Sequence, residues 1–377
     1  MTESVENVPS YRKIRITAPE EPVAVVADLE AWQARDKYPD ILSAGDPVFG
    51  LVREREAGGW EVLGPFCNRY PQMSRDDLGP EFRDLAQRVK AENGDTAGHD
   101  EAMAAAERLE GEALDELTVL GVRYRVIRAE CFIRSGPDGP EPPRPSDADA
   151  LRAGESFGAP DPSEGFVIDP ASPTGMSEGI LKTELLGLVR PVGSVPEDVR
   201  HDSLLAARTH PGGVLMPAAF MTSERIGGVW RPDSTVCYAT PQSARDGIAD
   251  RLRVMIPWEE KLSPAEREPY NEAADRIDAQ RCDELEVAGR RFRIVRVERL
   301  VRIGPDGPEP PRPSDPDPCP PVLVQNQQLR DAGVNVEEED AKPLELSEDT
   351  RRLMALCDED EERRKERQKG QRKRGRR

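Results

Sequence analysis

The stretch AAERLEGEALDELTVLGVRYRVIRAECFIRSGPDGPEPPRPSD, residues 105–147, aligns without a gap on AADRIDAQRCDELEVAGRRFRIVRVERLVRIGPDGPEPPRPSD, residues 273–315. The closing GPDGPEPPRPSD is identical at all twelve positions, against thirteen of the thirty-one before it. Agreement of that length is not chance, and the chain reads as two tandem diverged copies of one unit. Upstream, residues 47–83 match residues 217–253 in a register shifted by two, pairing Gly58 with Gly228, Trp60 with Trp230 and Cys67 with Cys237. Pro71, Gln72, Arg75 and Asp76 recur as Pro241, Gln242, Arg245 and Asp246.

Each copy is expected to open with a short strand (Arg12–Thr17; Leu185–Arg190) and a helix (Pro22–Ala34; Pro196–Ala207), with Ser194 and Glu197 as a capping box. A hairpin turning at Glu56–Gly59 and Ile226–Gly228 follows, its glycines supplying positive φ. Two helices come next, the second of copy two capped by Ser263 with Pro264 and Glu266. Strands around Gly121 and Gly289 close the unit. In Val122–Arg134 and Arg290–Arg302 the apolar alternation changes phase near Val126 and Ile294, which predicts a bulge. Strands and helices without strict βαβ order define an α+β fold. The expected division is copy one at 10–147, a Pro/Gly-rich linker at 148–180 and copy two at 181–318. An extended strap at 319–346 then leads to a charged helix and a basic disordered tail at 347–377.

Net charge is −19, and no segment is long and apolar enough to span a membrane. The start lacks a basic stretch followed by an apolar core, so the expected location is cytoplasmic. Residues 363–377 hold ten Lys or Arg against one Glu, leaving −28 on the rest. An acidic body repels nucleic acid and anionic membrane, so only the tail, with Arg372, Lys373 and Arg374, is drawn to an anionic partner, as a weak nucleic-acid contact. Six scattered cysteines without a CxxC pair, and only three histidines, give no zinc or disulfide framework. No metal and no cofactor is expected.

Gly136-Pro137-Asp138-Gly139 suits a type I turn, and the prolines after it require polyproline II. The strap is expected to pack on its own copy, with Arg144 and Asp147, or Arg312 and Asp315, satisfying local charges. The alternative is a surface that presents these four residues to a ligand or partner. Trp60 and Trp230 could stack a ligand, but on hairpin strands they read as core fillers. Arg123, Arg125, Arg128 and Arg134, with Arg291, Arg293, Arg296 and Arg302, could bind an anion, but paired with Glu130 and Glu298 they read as a solvated cross-strand charge face. Gly175–Gly179 fits GxSxG, and Asp198 or Asp202 with His210 would complete a triad order. That motif needs a buried strand before it, and here a Pro-rich stretch precedes it.

The PVFG hairpin, the GGW turn, the GRRFRIVR strand and the closing RIGPDGPEPPRPSDPDP strap resemble an uncharacterised actinobacterial (Streptomyces-type) family classed as domain of unknown function 5954. The resemblance covers most of residues 10–335, with Cys319 standing where an aromatic is expected. It implies a cytoplasmic protein and brings no activity or catalytic residues. The reading favours a non-catalytic, pseudo-symmetric binding or scaffold protein for an unknown protein or small ligand. Its alternative is an enzyme or small-molecule binder with a site in the cleft between the copies.

Overall fold

The computed structural model describes residues 8–188, 190–334 and 346–374 and is α+β. In chain order come α1 (Pro22–Lys37), β1 (Asp40–Ser43), β2 (Val48–Glu54), β3 (Trp60–Asn68), α2 (Pro71–Asn93), α3 (Thr96–Gly111), β4 (Glu116–Val119), β5 (Val122–Gly136), β6 (Gly139–Pro140), β7 (Val167–Ile168), α4 (Met176–Leu186) and α5 (Glu197–Thr209). There follow β8 (Gly212–Leu215), β9 (Ala219–Ile226), β10 (Val229–Pro232), α6 (Pro241–Asp250), a π-helical turn (Arg251–Met255), α7 (Ile256–Glu259), α8 (Pro264–Gln280), β11 (Glu284–Val287), β12 (Arg290–Gly304), β13 (Gly307–Pro308), α9 (Val322–Asp331) and α10 (Glu348–Arg374). From β2 to β5 and from β9 to β12 the order is the same: hairpin, helices, hairpin.

The chain forms two compact units. The first comprises Met1–Asp138, Pro160–Ala219 and Val297–Asp340; the second comprises Gly139–Ala159, Phe220–Arg296 and Ala341–Arg377. The division cuts across the copies, because each unit joins the body of one copy to the strap of the other.

In the first unit β2 pairs with both β3 and β5, and β7 is added to β3 through Trp60 and Ile168. Residues Glu298–Leu300 of β12 pair with β5, and β8 pairs with β12. Helices α2 and α3 bury Phe49, Leu78, Phe82, Ala102, Ala106, Tyr124 and Val126 in one core, each large side chain contributing about 1.5–3 kcal/mol. In the second unit the hairpins β9–β10 and β11–β12 accompany α6, the π turn and α8, with Ile248, Leu252, Ile277, Phe292 and Ile294 buried. The hairpins β4–β5 and β11–β12 turn on Leu120-Gly121 and Ala288-Gly289, all four at positive φ, the two-residue turn whose twist matches the strands.

Several sequence expectations are corrected. Among the described residues neither opening strand forms: Ser10–Arg12 is a 3-10 turn, Ile16 makes one bridge to Thr174, and Leu185 belongs to α4, where it packs with Leu181, Leu215 and Leu300. The N-cap of α5 is Pro196, and Ser194 donates to the Pro191 carbonyl instead of forming a capping box. The linker contains β7 and the first turns of α4, and α9 occupies 322–331 of the strap expected to be extended. Residues 335–345 of that strap lie outside the described residues. Helix α10 runs to Arg374, through Gly370–Arg374 of the tail expected to be disordered, supported by Asp360–Arg364 and Glu361–Lys365 at helical spacing. The side chains of Arg372, Lys373 and Arg374, and residues 375–377, lie outside the described residues. No bulge interrupts β5 at Val126, since β2 pairs straight through it; the phase change arises because both faces of β5 and β12 are buried.

Candidate functional site

The buried strand faces carry charge. Arg125, Arg128, Arg134, Glu130, Arg299 and Arg302 are each 6% exposed or less. Of the arginines expected on a solvated face, Arg125, Arg128, Arg134, Arg293 and Arg302 therefore lie inside, whereas Arg123 and Arg291 stay partly exposed. A buried guanidinium requires partners for its donors. The straps supply them to Arg125 and Arg128, whereas Arg134 bonds Glu184, Arg299 the Phe66 and Pro217 carbonyls and Ser163, and Arg302 the Leu186 carbonyl.

In the first unit Arg125 and Arg123 stack on Trp60, 4.9 and 5.3 Å from the ring centre, a cation–π arrangement. Arg125 donates through Nε to Glu116 at 2.6 Å and through Nη1 to the carbonyls of Asp306 and Pro308, each at 3.0 Å. Gly307, at φ +109°, lies so close to the indole that a Cβ would sit 2.7 Å from Nε1. Farther along, Arg128 holds Asp315 at 3.0 Å, and Arg312 holds Glu309 at 2.7 Å and Glu130 at 3.1 Å. Burial pushes the Glu130 carboxyl up, but Arg128, Arg312 and Arg302 around it pull it down to about 2. Past the strap, Asp317 meets Arg75, which also binds Asp115 at 2.6 Å, while the Gln72 amide donates to Asp317 at 3.0 Å.

The second unit repeats this with the strap of copy one. Arg293 and Arg291 stack on Trp230 at 4.7 and 5.6 Å, and Arg293 donates to Glu284 at 2.7 Å and to the Pro140 carbonyl at 3.0 Å. Gly139, at φ +108°, lies against that indole, so that a Cβ there would collide with Nε1 of Trp230. Arg296 binds Asp147 at 3.0 Å, Arg144 binds Glu141 at 2.6 Å, and Arg245 joins Asp149 to Asp283 at 2.7 and 2.6 Å.

The candidate residues therefore gather as Trp60 with Arg312 and Asp315, and as Trp230 with Arg144 and Asp147. The expectation that each strap packs on its own copy is overturned, and chain geometry gives the reason. Arg125 stands at the start of β5 and Gly136 at its end, eleven residues or roughly 36 Å apart in an extended strand. From Gly136 to Gly139 the chain reaches at most about 11 Å. A strap leaving β5 cannot fold back on the tryptophan of its own copy.

Arg75, Asp115 and Asp317, with Arg245, Asp283 and Asp149, were missed as a constellation, although Gln72, Arg75 and Asp115 all recur in copy two. Ser177 opens α4 and donates to the Asp28 carbonyl at 2.8 Å, so its hydroxyl is engaged there and not with His210. Among the described residues no cluster of three His, Cys, Asp or Glu could hold a metal, and no helix is long and apolar enough to cross a membrane.

Fold and sockets together define a protein of two α+β units, each closed by a proline-rich strap. The chain belongs to the family of unknown function DUF5954, whose model matches residues 21–318. No curated protein and no solved structure matches it.

Proposed function

We propose that this chain is a non-catalytic binding or scaffold protein whose partner is another protein, held at the outward face of α1. The observation that carries this is the orientation of that helix. Ala34 is buried, Asp28 receives the Ser177 amide at 2.9 Å and Arg35 binds Glu184 at 3.0 Å, whereas Val25, Val26, Leu29 and Trp32 are 43–56% exposed. Val25, Leu29 and Trp32 share one stripe at helical spacing. A helix with alanine and charge inward and large apolar groups outward is the reverse of a monomer's surface helix, and such a stripe marks a protein contact. The charged strap residues support the non-catalytic side, because a ligand entering a socket would have to break buried ion pairs.

The test places a photo-crosslinking amino acid at Val25 in cells. A discrete adduct is expected, abolished by Trp32→Glu while the melting temperature of the purified variant stays unchanged. No adduct, or one indifferent to Trp32→Glu, would count against the reading. For the basic tail we propose only a weak nucleic-acid contact. Deleting residues 367–377 spares Arg364, which pairs with Asp250 and Asp360, and should reduce filter retention of RNA at low salt. Equal retention would exclude the contact.

A further inference from the structure

The hairpin β9–β10 and the π-helical turn border a cavity of about 260 Å³ in the second unit, lined by Ser223, Glu224, Asp233, Arg251, Ile226 and Phe292 among others. It is smaller than the roughly 300–1,000 Å³ of pockets for drug-sized ligands, which limits any occupant to a small metabolite. Its polar groups are unevenly engaged. Arg251 faces Glu224 and Asp233 at 3.6 Å each, beyond hydrogen-bond distance, and its Nε is buried without a partner. Ser223, 2% exposed, has a buried Oγ that likewise bonds nothing among the described residues.

Glu224 is neutralised by Arg290, which approaches it at 2.7 and 3.0 Å. Asp233 accepts the Thr235 amide at 3.0 Å and the Thr235 hydroxyl, both on Oδ1, and keeps Oδ2, 3.6 Å from Arg251, for a further donor. The wall thus offers a guanidinium with open donors, a carboxylate with open acceptors, a buried hydroxyl, and the apolar surface of Phe292 and Ile226. A dianion such as phosphate would face Glu224 and Asp233, and a simple amine would face Arg251 and Arg231. One ligand class satisfies both signs at once. Arg251 also opens the π turn, an element found mostly as single-turn insertions and often at functional sites.

We infer that this cavity binds a small zwitterion of the α-amino-acid type, its carboxylate on Arg251 and Ser223, its ammonium on Asp233, and an apolar side chain against Phe292. The site is independent of the α1 face, so the two proposals fail separately. The experiment is a saturation-transfer NMR titration of the full chain with L-leucine, 4-methylpentanoate, 3-methylbutylamine and inorganic phosphate. Leucine is expected to bind saturably, with the other three at least tenfold weaker. Arg251→Gln and Asp233→Asn should each weaken leucine binding at least tenfold, with circular dichroism melting to show that the variants fold. Ser223→Ala, a small change in a buried strand, should weaken it severalfold and serves if a charge variant unfolds. Absence of leucine binding at millimolar concentration overturns the inference. So does equal binding of phosphate or a half-molecule, or leucine binding that is unchanged in every folded variant.

Discussion

The two hairpins that carry the tryptophans differ more than the straps that meet them. In the first unit β3 is nine residues long, pairs Glu54 with Trp60, and is covered by β7, leaving Trp60 6% exposed. In the second unit β10 has four residues, Trp230 pairs with Arg225, and Trp230 is only half-buried. Glu54 corresponds to Glu224, so the second hairpin is slipped by one residue, set by the two-residue Gly227-Gly228 turn. A one-residue slip exchanges the faces of a strand. Even so, both indoles receive a strap glycine on the edge and two arginines on the face. The latch tolerates a changed hairpin as long as the tryptophan, the arginines and the glycine still meet, and the cavity lies where the second hairpin has diverged.

The largest effects should come from the latches. Arg312→Ala deprives buried Glu130 and Glu309 of a partner and should cost about 3–5 kcal/mol in urea unfolding, the range for breaking a buried ion pair. Arg144→Ala should give a similar loss in the other unit. A loss under about 1 kcal/mol in either would show that latch to be dispensable.

Acid should discriminate next. Because the Glu130 carboxyl falls from its ordinary 4.5 to about 2 in the folded state, its contribution is present above pH 4.5 and is lost as pH falls through 2. The amount is about 3 kcal/mol. Glu130→Gln should flatten stability against pH over that window, and an unaltered slope would remove Glu130 from the account.

A smaller contrast concerns the glycines. Gly307→Ala drives a Cβ onto fully packed Trp60 and should cost about 2–3 kcal/mol, whereas Gly139→Ala meets half-buried Trp230, which can yield, and should cost about 1 kcal/mol less. Equal losses would mean that both indoles are held alike. The smallest effect is expected at Arg53, paired with Glu61 at 3.0 Å with both side chains over a quarter exposed. There Arg53→Ala should change stability by less than about 1 kcal/mol by thermal melting.

Much of this architecture was legible. The helix at Pro22, the Ser263 and Glu266 contacts that open α8, and the glycine turns each carry a local chemical signature, and the α+β class follows from their order. The failures were non-local. Similarity between copies identifies Asp315 with Asp147 but does not say which copy's arginine each will meet; only the length of β5 decides that. Arg125 and Arg128 looked solvated because a sequence displays a charge and not its cover. Strand β7 is two residues long and has no period to detect, and the short apolar run around Leu185 fits a strand or a buried helix equally. Ser223 and Arg251 gave no signal, since neither has a counterpart of its own type in copy one.

The crossed straps also set a timetable for the protein's birth. Trp60 and Arg125 leave the ribosome early, yet the backbone that covers them, from Asp306 to Pro308, is made roughly 180 residues after Arg125. At roughly 5–20 residues per second the first body waits some tens of seconds with its indole and guanidinium groups uncovered. The early strap, in turn, has no tryptophan to meet until residue 230 is synthesised. Neither copy carries in its own half of the chain the strap that covers its tryptophan.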